Sequence, residues 1–232
     1  MSQKISCVIP AYNEAERVGN VLSVLTKSKL IDEIIVVDNG SIDKTAFVVR
    51  RDFPGVKVVT KKKNTGKADG IILGVKKTKN PILFTCDADL TGLKEEHIRI
   101  LSDPVLKGEV RMMVGIQEYL NTMKESDWYR KFLKLKRKPE KGMSDFLKGL
   151  GGERVLFKKD FLKVPGLKGS GYEIEQRTIA FFKKKNWSFR LCVLDGVGHV
   201  HKIKKWRLKG LLIELKALFA IGKQSLRDQS SS

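Results

Sequence analysis

The sequence predicts an α/β fold: a Rossmann-like, mainly parallel sheet flanked by helices. Strand-like and helix-like segments alternate through the first ninety residues, and the strand-like ones (ISCVIP, EIIVVD, VKVVT, PILFT) are apolar almost without a break. Such continuity marks strands covered on both faces, as in parallel sheets. Each strand also runs into a polar, often glycine-containing cluster: Pro10–Glu14, Asp38–Ser41, Asn64–Lys67 and Asp87–Asp89. In parallel α/β sheets ligands gather beyond the carboxyl ends of the strands.

The elements follow in order. After ISCVIP, Val18, Val21, Leu22 and Leu25 recur at helical spacing within EAERVGNVLSVLTKS. EIIVVD precedes the turn NGS and a helical SIDKTAFVVRRDF; VKVVT precedes the loop KKKNTGK and a helix in ADGIILGVKKTK. PILFTCD is the fourth strand, HIRILSDPV a short helix and EVRMMVG a fifth strand. Residues 118–141 are basic and partly amphipathic. GGERVLFKKDFL contributes another strand, GSGYEIEQRTIAFFKKK a loop leading into a helix, and WSFRLCVLDGV the last strand. Residues 206–226 read as a C-terminal amphipathic helix. The expected organisation is one domain over 1–232, in three parts: 1–115, 116–205 and that terminal helix.

The chain has 232 residues and a formal charge of +20, concentrated in KESDWYRKFLKLKRKPEK and KIKKWRLK. This charge calls for an anionic partner: a phosphorylated or carboxylated substrate, an anionic bilayer or nucleic acid. No recognition-helix, zinc or RNP-type motif is visible, so nucleic acid is not expected. Three cysteines form no disulfide framework and read as buried residues of a reducing compartment. No signal-peptide stretch opens the chain, and no run of about eighteen apolar residues offers a membrane span. The expected location is cytoplasmic, peripheral on the inner face of the membrane.

Asp87 and Asp89 lie at i and i+2, so both carboxylates point the same way if the chain stays extended. Paired carboxylates with phosphate oxygens suit a hard divalent cation, Mg²⁺ or Mn²⁺. D-x-D alone is a weak motif; its place after the fourth strand strengthens it. Asp38, Asn39, Gly40 and Ser41 read as a tight turn with a helix cap, or as a strand end whose carboxylate accepts a nucleobase N–H. Lys67 is a solvated lysine or a diphosphate contact; the Walker spacing is absent. Glu173 and Glu175, behind the glycines of GSGYEIE, sit where carboxylates meet a helix N-terminus favourably. His199 and His201 form an H-x-H pair, structural or metal-ligating.

Taken together, VIPAYNEAERVGNVL, EIIVVDNGSIDKT, NTGKADGIILGV and CDADL resemble, in order and spacing, the family 2 glycosyltransferases of the GT-A fold. The resemblance implies a hexosyltransferase using a nucleotide sugar, UDP- or GDP-linked, with Mg²⁺ or Mn²⁺, and makes 1–115 the nucleotide-sugar-binding half and 116–205 the acceptor half. It implies Pro10, Ala11, Tyr12, Glu14 and Asp38 as nucleoside contacts, with Asn39 and Gly40 in the same turn. Lys67 would approach the base or diphosphate, and Asp87 and Asp89, flanking Ala88, the metal and ribose. Polyprenyl-phosphate (dolichol-phosphate mannose-type) synthases often carry glutamine two places after D-x-D, where this chain has Thr91. GGERVLFKKDFLKVPG, GSGYEIE and GVGHVHK instead resemble the glucosyl-3-phosphoglycerate synthases. There a histidine completes the metal site, here His199 or His201, with His201 preferred because a basic residue follows. Glu173 would face the donor sugar, with Gly171 and Tyr172 beside it, and Asp89 and Glu173 form the catalytic set.

The favoured acceptor is a lipid phosphate at a membrane surface, where each surface Lys or Arg adds about 1 kcal/mol of attraction to an anionic bilayer. The alternative is a small phosphorylated acid such as 3-phosphoglycerate, for which Arg130, Arg137 or Lys141 would suffice. The tail helix either lies in the interface or packs against the domain or a second subunit in a homodimer. Two other classes are a nucleotidyltransferase and a basic nucleic-acid-binding protein.

Overall fold

A computed structural model describes residues 4–117 and 152–199, with the backbone alone for Gln117 and His199. The chain divides into two compact units, Met1–Gly198 and His199–Ser232. The basic stretch 118–141, with Arg130, Arg137 and Lys141, lies outside the described residues, as do His201 and the 206–226 helix.

The element order of the first unit is β1 (Ile5–Ala11), α1 (Val18–Leu25), β2 (Ile31–Asp38), α2 (Thr45–Asp52), β3 (Lys57–Thr60), α3 (Lys67–Lys77), β4 (Ile82–Thr85), β5 (Leu90–Thr91), α4 (Glu95–Leu106) and β6 (Met112–Gln117). Beyond residue 151 come β7 (Arg154–Phe157), α5 (Lys158–Phe161), a single 3₁₀ turn (Gly171–Glu173), α6 (Ile174–Lys184), β8 (Phe189–Leu194) and β9, which starts at Gly198. Seven strands form one sheet in the order β3-β2-β1-β4-β7-β6-β8. The β3-β2-β1-β4 half is wholly parallel. β7 runs antiparallel to both β4 and β6, and β8 returns parallel to β6. The boundary expected near residue 115 falls inside β6, whose backbone bonds the second half directly: the Gly115 N–H donates to the Glu153 carbonyl at 2.8 Å.

Alternation decides which face each side chain serves. Ile5, Cys7, Ile9 and Ala11 of β1 enter a core with Val18, Val21, Leu22 and Leu25 of α1 and Ile98, Leu101 and Val105 of α4. Val8 of β1 faces the other way, into a core with Ala68, Ile71 and Val75 of α3 and Ile174 and Phe182 of α6. Both faces are therefore dry, which is why the strands read as unbroken apolar runs. The four residues expected on the apolar stripe of α1 are the four buried there. α4 begins two residues earlier than expected: Glu95 and Glu96 occupy its first turn, where the helix dipole favours them. The buried His97 Nδ1 accepts from the Lys94 N–H at 3.1 Å.

Two ion clusters are structural. At the amino edge of the sheet, buried Glu33 accepts from Ser6 Oγ (2.6 Å), Lys57 (2.6 Å) and the Lys79 N–H (2.9 Å). Burial works to raise its pKa, and these three donors outweigh it and hold it below the usual carboxylate range. Asp160, fully buried, takes a two-point bond from Arg111 at 2.9 and 2.7 Å, and that guanidinium lies 4.4 Å from the Trp187 ring centroid. Among the described residues no helix is long and apolar enough to cross a membrane.

Glycine sets how closely α3 approaches the sheet. A Cβ on Gly74 would lie 2.4 Å from Val8 Cγ1 and 3.0 Å from Val37 Cγ2. Alanine gains about 1 kcal/mol of helix propensity over glycine, but overpacking costs about 1–3 kcal/mol. Gly74→Ala is therefore expected to lower stability, seen as a reduced midpoint in urea unfolding; an unchanged or higher midpoint would contradict this packing.

Candidate nucleotide and metal site

The parallel register brings the polar clusters to one edge. Ala11 is level with Asp38 and Asp38 with Thr60, while β4 ends beside β1, where the Cys86 N–H donates to the Val8 carbonyl at 3.1 Å. β1, β2 and β3 therefore release their loops at the same height, and β4 ends three residues lower on the same edge, with Thr85 level with Val8.

The first two loops are stitched together. Asn13, at φ 56°, presents Oδ1 to the Ile42 N–H (2.9 Å), and its own N–H donates to Ser41 Oγ (3.0 Å). The Glu14 N–H donates to Thr45 Oγ1 at 2.8 Å, and the Glu14 carboxylate takes Arg17 at 2.7 Å. Pro10 and Tyr12 are partly exposed, whereas Ala11 and Glu14 are buried. Asp38 is buried, and its Oδ1 accepts from the Ser41 N–H at 3.0 Å, so the turn reading of D-N-G-S holds in the backbone. Gly40, at φ 78°, allows a closer approach than any side chain would: its Cβ would lie 2.4 Å from the Lys63 carbonyl carbon. Asn39 then donates from Nδ2 to Asn64 Oδ1 (3.0 Å) and the Gly66 carbonyl (2.9 Å), clamping NTGK against the second strand.

Lys67 is not the solvated lysine that a glycine turn suggests. With 14% of its side chain exposed, its ammonium meets Asp87 at 2.7 and 3.0 Å and Glu175 at 2.8 Å. Burial disfavours its charge, but the Asp87 and Glu175 carboxylates outweigh this and hold its pKa well above the ordinary lysine range. Asp87 is backed by Gly152, whose Cβ would lie 2.5 Å from Oδ2. Beside it are buried Glu153 and Arg154. Burial lowers the Arg154 pKa against the opposing pull of Glu175, Glu153 and Asp87.

The chain does not stay extended through D-x-D. The β4 ladder ends at Thr85, and Ala88 and Asp89 form a turn leading into β5. The shared direction expected from i, i+2 spacing loses its basis, because alternation holds only in extended chain. Both carboxylates nevertheless act electrostatically on one neighbour, Tyr172. Loss of water raises the Tyr172 phenol; Lys67 pulls it down, and Asp87, Asp89 and Glu175 push it further up. Gly171 opens the 3₁₀ turn at φ 59°, and the Lys67 ammonium lies 5.7 Å from the Tyr172 ring centroid.

Of the two glutamates expected at the helix start, Glu173 pairs with Arg177 one turn on, at 2.8 Å. Glu175 is the one that enters the buried cluster, where the helix dipole alone does not place it. The sequence does carry a signal for it: Glu175, Thr178 and Phe182 share one buried stripe of α6, and a carboxylate on such a stripe demands a cation. Glu153, Arg154 and Gly152 carry no comparable signal. His199 enters β9, which forms a two-stranded ladder with β5, but its side chain is not described.

Among the described residues, four carboxylates (Asp87, Asp89, Glu153, Glu175) and two cations (Lys67, Arg154) thus share one electrostatic neighbourhood. This excess of negative charge and its oxygen donors fit a hard divalent cation in type. Among the described residues, no three His, Cys, Asp or Glu converge as a closed metal cage.

The family profile described as glycosyl transferase family 2 matches residues 6–163, more than half of the chain. The chain belongs to glycosyl transferase family 2. This family member is 32% identical over 122 residues to 4,4'-diaponeurosporenoate glycosyltransferase of Staphylococcus haemolyticus, covering 51% of this chain and 32% of the relative. It is 30% identical over 137 residues to dolichol-phosphate mannosyltransferase of Pyrococcus furiosus, covering 56% and 38%. It is 28% identical over 190 residues to glucosyl-3-phosphoglycerate synthase of Mycolicibacterium smegmatis, covering 73% and 61%. The chain thus spans about a third of the length of curated relatives such as the first two. Among solved structures, glucosyl-3-phosphoglycerate synthase from Mycobacterium tuberculosis, in complex with Mn²⁺, UDP and glucosyl-3-phosphoglycerate, superposes with a TM-score of 0.70 at 22% identity. That match covers 95% of this chain and 80% of that one. At this identity the likeness is one of fold, and the GT-A, Rossmann-like architecture expected from the sequence is the one observed.

The Asn39 clamp yields a local test. Asn39→Ala removes the bonds to Asn64 and Gly66 and is expected to lower stability by about 1–3 kcal/mol. Amide exchange at Thr65 and Gly66 should accelerate before exchange in the sheet; uniform acceleration would contradict a local clamp.

Proposed function

We propose that this chain transfers a sugar from a nucleoside-diphosphate sugar, held along the carboxyl edge of the sheet, to a phosphorylated acceptor. One observation carries the reading: Asp38, Lys67 and Asp87 come from three separate loops to one edge, with Lys67 buried between Asp87 and Glu175. A buried ammonium at the start of a helix, beside a carboxylate-rich pocket, suits a diphosphate bound with a divalent cation.

In this reading Asp38 accepts an N–H of the nucleobase, and Pro10–Tyr12 form the wall against which the nucleoside rests. Asn39 and Gly40 hold the loops at the spacing the nucleoside needs. Lys67 offsets the negative charge that grows on the diphosphate as the sugar leaves. Asp87 and Asp89 would hold Mg²⁺ or Mn²⁺, which when bound supplies Lewis-acid stabilisation of the leaving diphosphate. His199 and His201 are proposed as further ligands on the sequence resemblance alone. Glu173, tied to Arg177, is proposed to face the donor sugar beside Gly171 and Tyr172.

The acceptor we favour is a lipid phosphate at a membrane surface, because the net charge of +20 exceeds what one small acid requires. A second reading, transfer to a small acid such as 3-phosphoglycerate, is supported by how far the resemblance to glucosyl-3-phosphoglycerate synthase runs along the chain. Vesicles of anionic lipid separate the two. Binding that falls when residues 203–232 are removed supports the membrane reading, and absence of vesicle binding by the full chain supports the small acid.

A panel of nucleotide sugars with Mn²⁺ tests the reaction class. Release of nucleoside diphosphate is expected, and release of pyrophosphate would mean nucleotidyl transfer instead. Asp89→Ala is expected to abolish metal-dependent binding of the nucleoside diphosphate; unchanged affinity in Mn²⁺ would remove Asp89 from the site.

A further inference from the structure

Lys67 occupies the carboxylate that the proposed metal site needs. Its ammonium contacts both oxygens of Asp87, at 2.7 and 3.0 Å. A divalent cation and an ammonium cannot both sit on one carboxylate without strong repulsion at such distances. Asp87 is closed in on the side of Gly152, where even a methyl group would fall 2.5 Å from its oxygen. The mobile partner is therefore the ammonium. A buried ammonium cannot be left without a counter-charge, since breaking one side of a buried pair is strongly destabilising.

Glu175 resolves the conflict. It comes from α6 rather than from the β4 loop, is 3% exposed, and already touches Lys67 at 2.8 Å. We propose that Lys67 stands in for the divalent cation at Asp87 in the metal-free protein, and that Glu175 is the positioning residue that retains Lys67 when the metal takes its place. Lys67 then pivots about Glu175, beside the Tyr172 ring, without losing its ion pair. It remains charged and near the incoming diphosphate. The inference rests on the metal site proposed above and adds a role for Glu175 that D-x-D does not contain.

The test is Mn²⁺ binding alone, without nucleotide, followed through the electron paramagnetic resonance signal of the free ion. Four proteins form a cycle: the unaltered chain, Glu175→Gln, Lys67→Gln and the double variant, each checked for folding by thermal melting. Glu175→Gln leaves Lys67, among the described residues, only the Asp87 carboxylate to pair with, so Mn²⁺ affinity should fall by about fivefold or more, the lower range of coupled-site effects. Lys67→Gln removes the competitor and should raise affinity by a similar factor. In the Lys67→Gln background Glu175→Gln should have little further effect, because Glu175 acts through Lys67. An equal loss in both backgrounds would mean a direct field effect of Glu175 and would overturn the proposal. If Lys67→Gln does not fold, the double variant decides: affinity at or above that of the unaltered chain supports the proposal, and affinity as low as Glu175→Gln refutes it. No Mn²⁺ binding by the unaltered chain would sink the metal site itself.

Discussion

β1 is hydrogen-bonded on both sides in parallel register, to β2 and to β4. Parallel neighbours cannot be joined by a tight turn, so the chain must return along a face of the sheet before each new strand. Those returns are α1, α2 and α3, and they bury both faces. Because every strand of this half points the same way, each loop after a strand opens on the same edge. Lys67 and Asp87, twenty residues apart, therefore meet as an ion pair, and Asp38 opens on the same edge.

The edge is held by polar contacts between loops rather than by apolar packing. Asn13, Ser41 and Thr45 tie the first two loops, and Asn39 ties the second to the third. These bonds hold the three loops together before any ligand arrives. Preorganisation of this kind lowers the entropy lost on binding. Glu33 at the opposite edge is equally buried and charged, but Ser6, Lys57 and the Lys79 backbone satisfy it. The contrast separates a structural buried acid from the acid-rich pocket around Lys67, where carboxylates outnumber cations among the described residues.

The antiparallel strand β7 links the two halves of the site. It places Gly152, Glu153 and Arg154 beside the end of β4, where Thr85 Oγ1 donates to the Gly152 carbonyl at 2.9 Å. α6 then brings Glu175 across from the far side of the pocket. The buried charge cluster is therefore assembled from α3, β4, β7 and α6, which span more than a hundred residues. The family match covers residues 6–163, and Glu175, one of the counter-charges that hold Lys67, lies beyond it.

Much of the first half is legible in the residues themselves. Unbroken apolar runs and helical spacing mark its strands and helices, because each element there buries a regular surface. Glycines and asparagines after the strands mark the loops, because they tolerate the left-handed and crowded backbone found at Asn13 and Gly40. The spacing of PAYNE, VVDNGS, NTGK and CDADL by itself determined the family-level reading. Only the tertiary structure decided that D-x-D enters a turn, that Lys67 is buried on Asp87, and that Glu175 rather than Glu173 joins it. The reason is physical: ion pairing depends on distance in space. Residues 67, 87, 153 and 175 become neighbours only once the parallel and antiparallel pairings of β4 have been made.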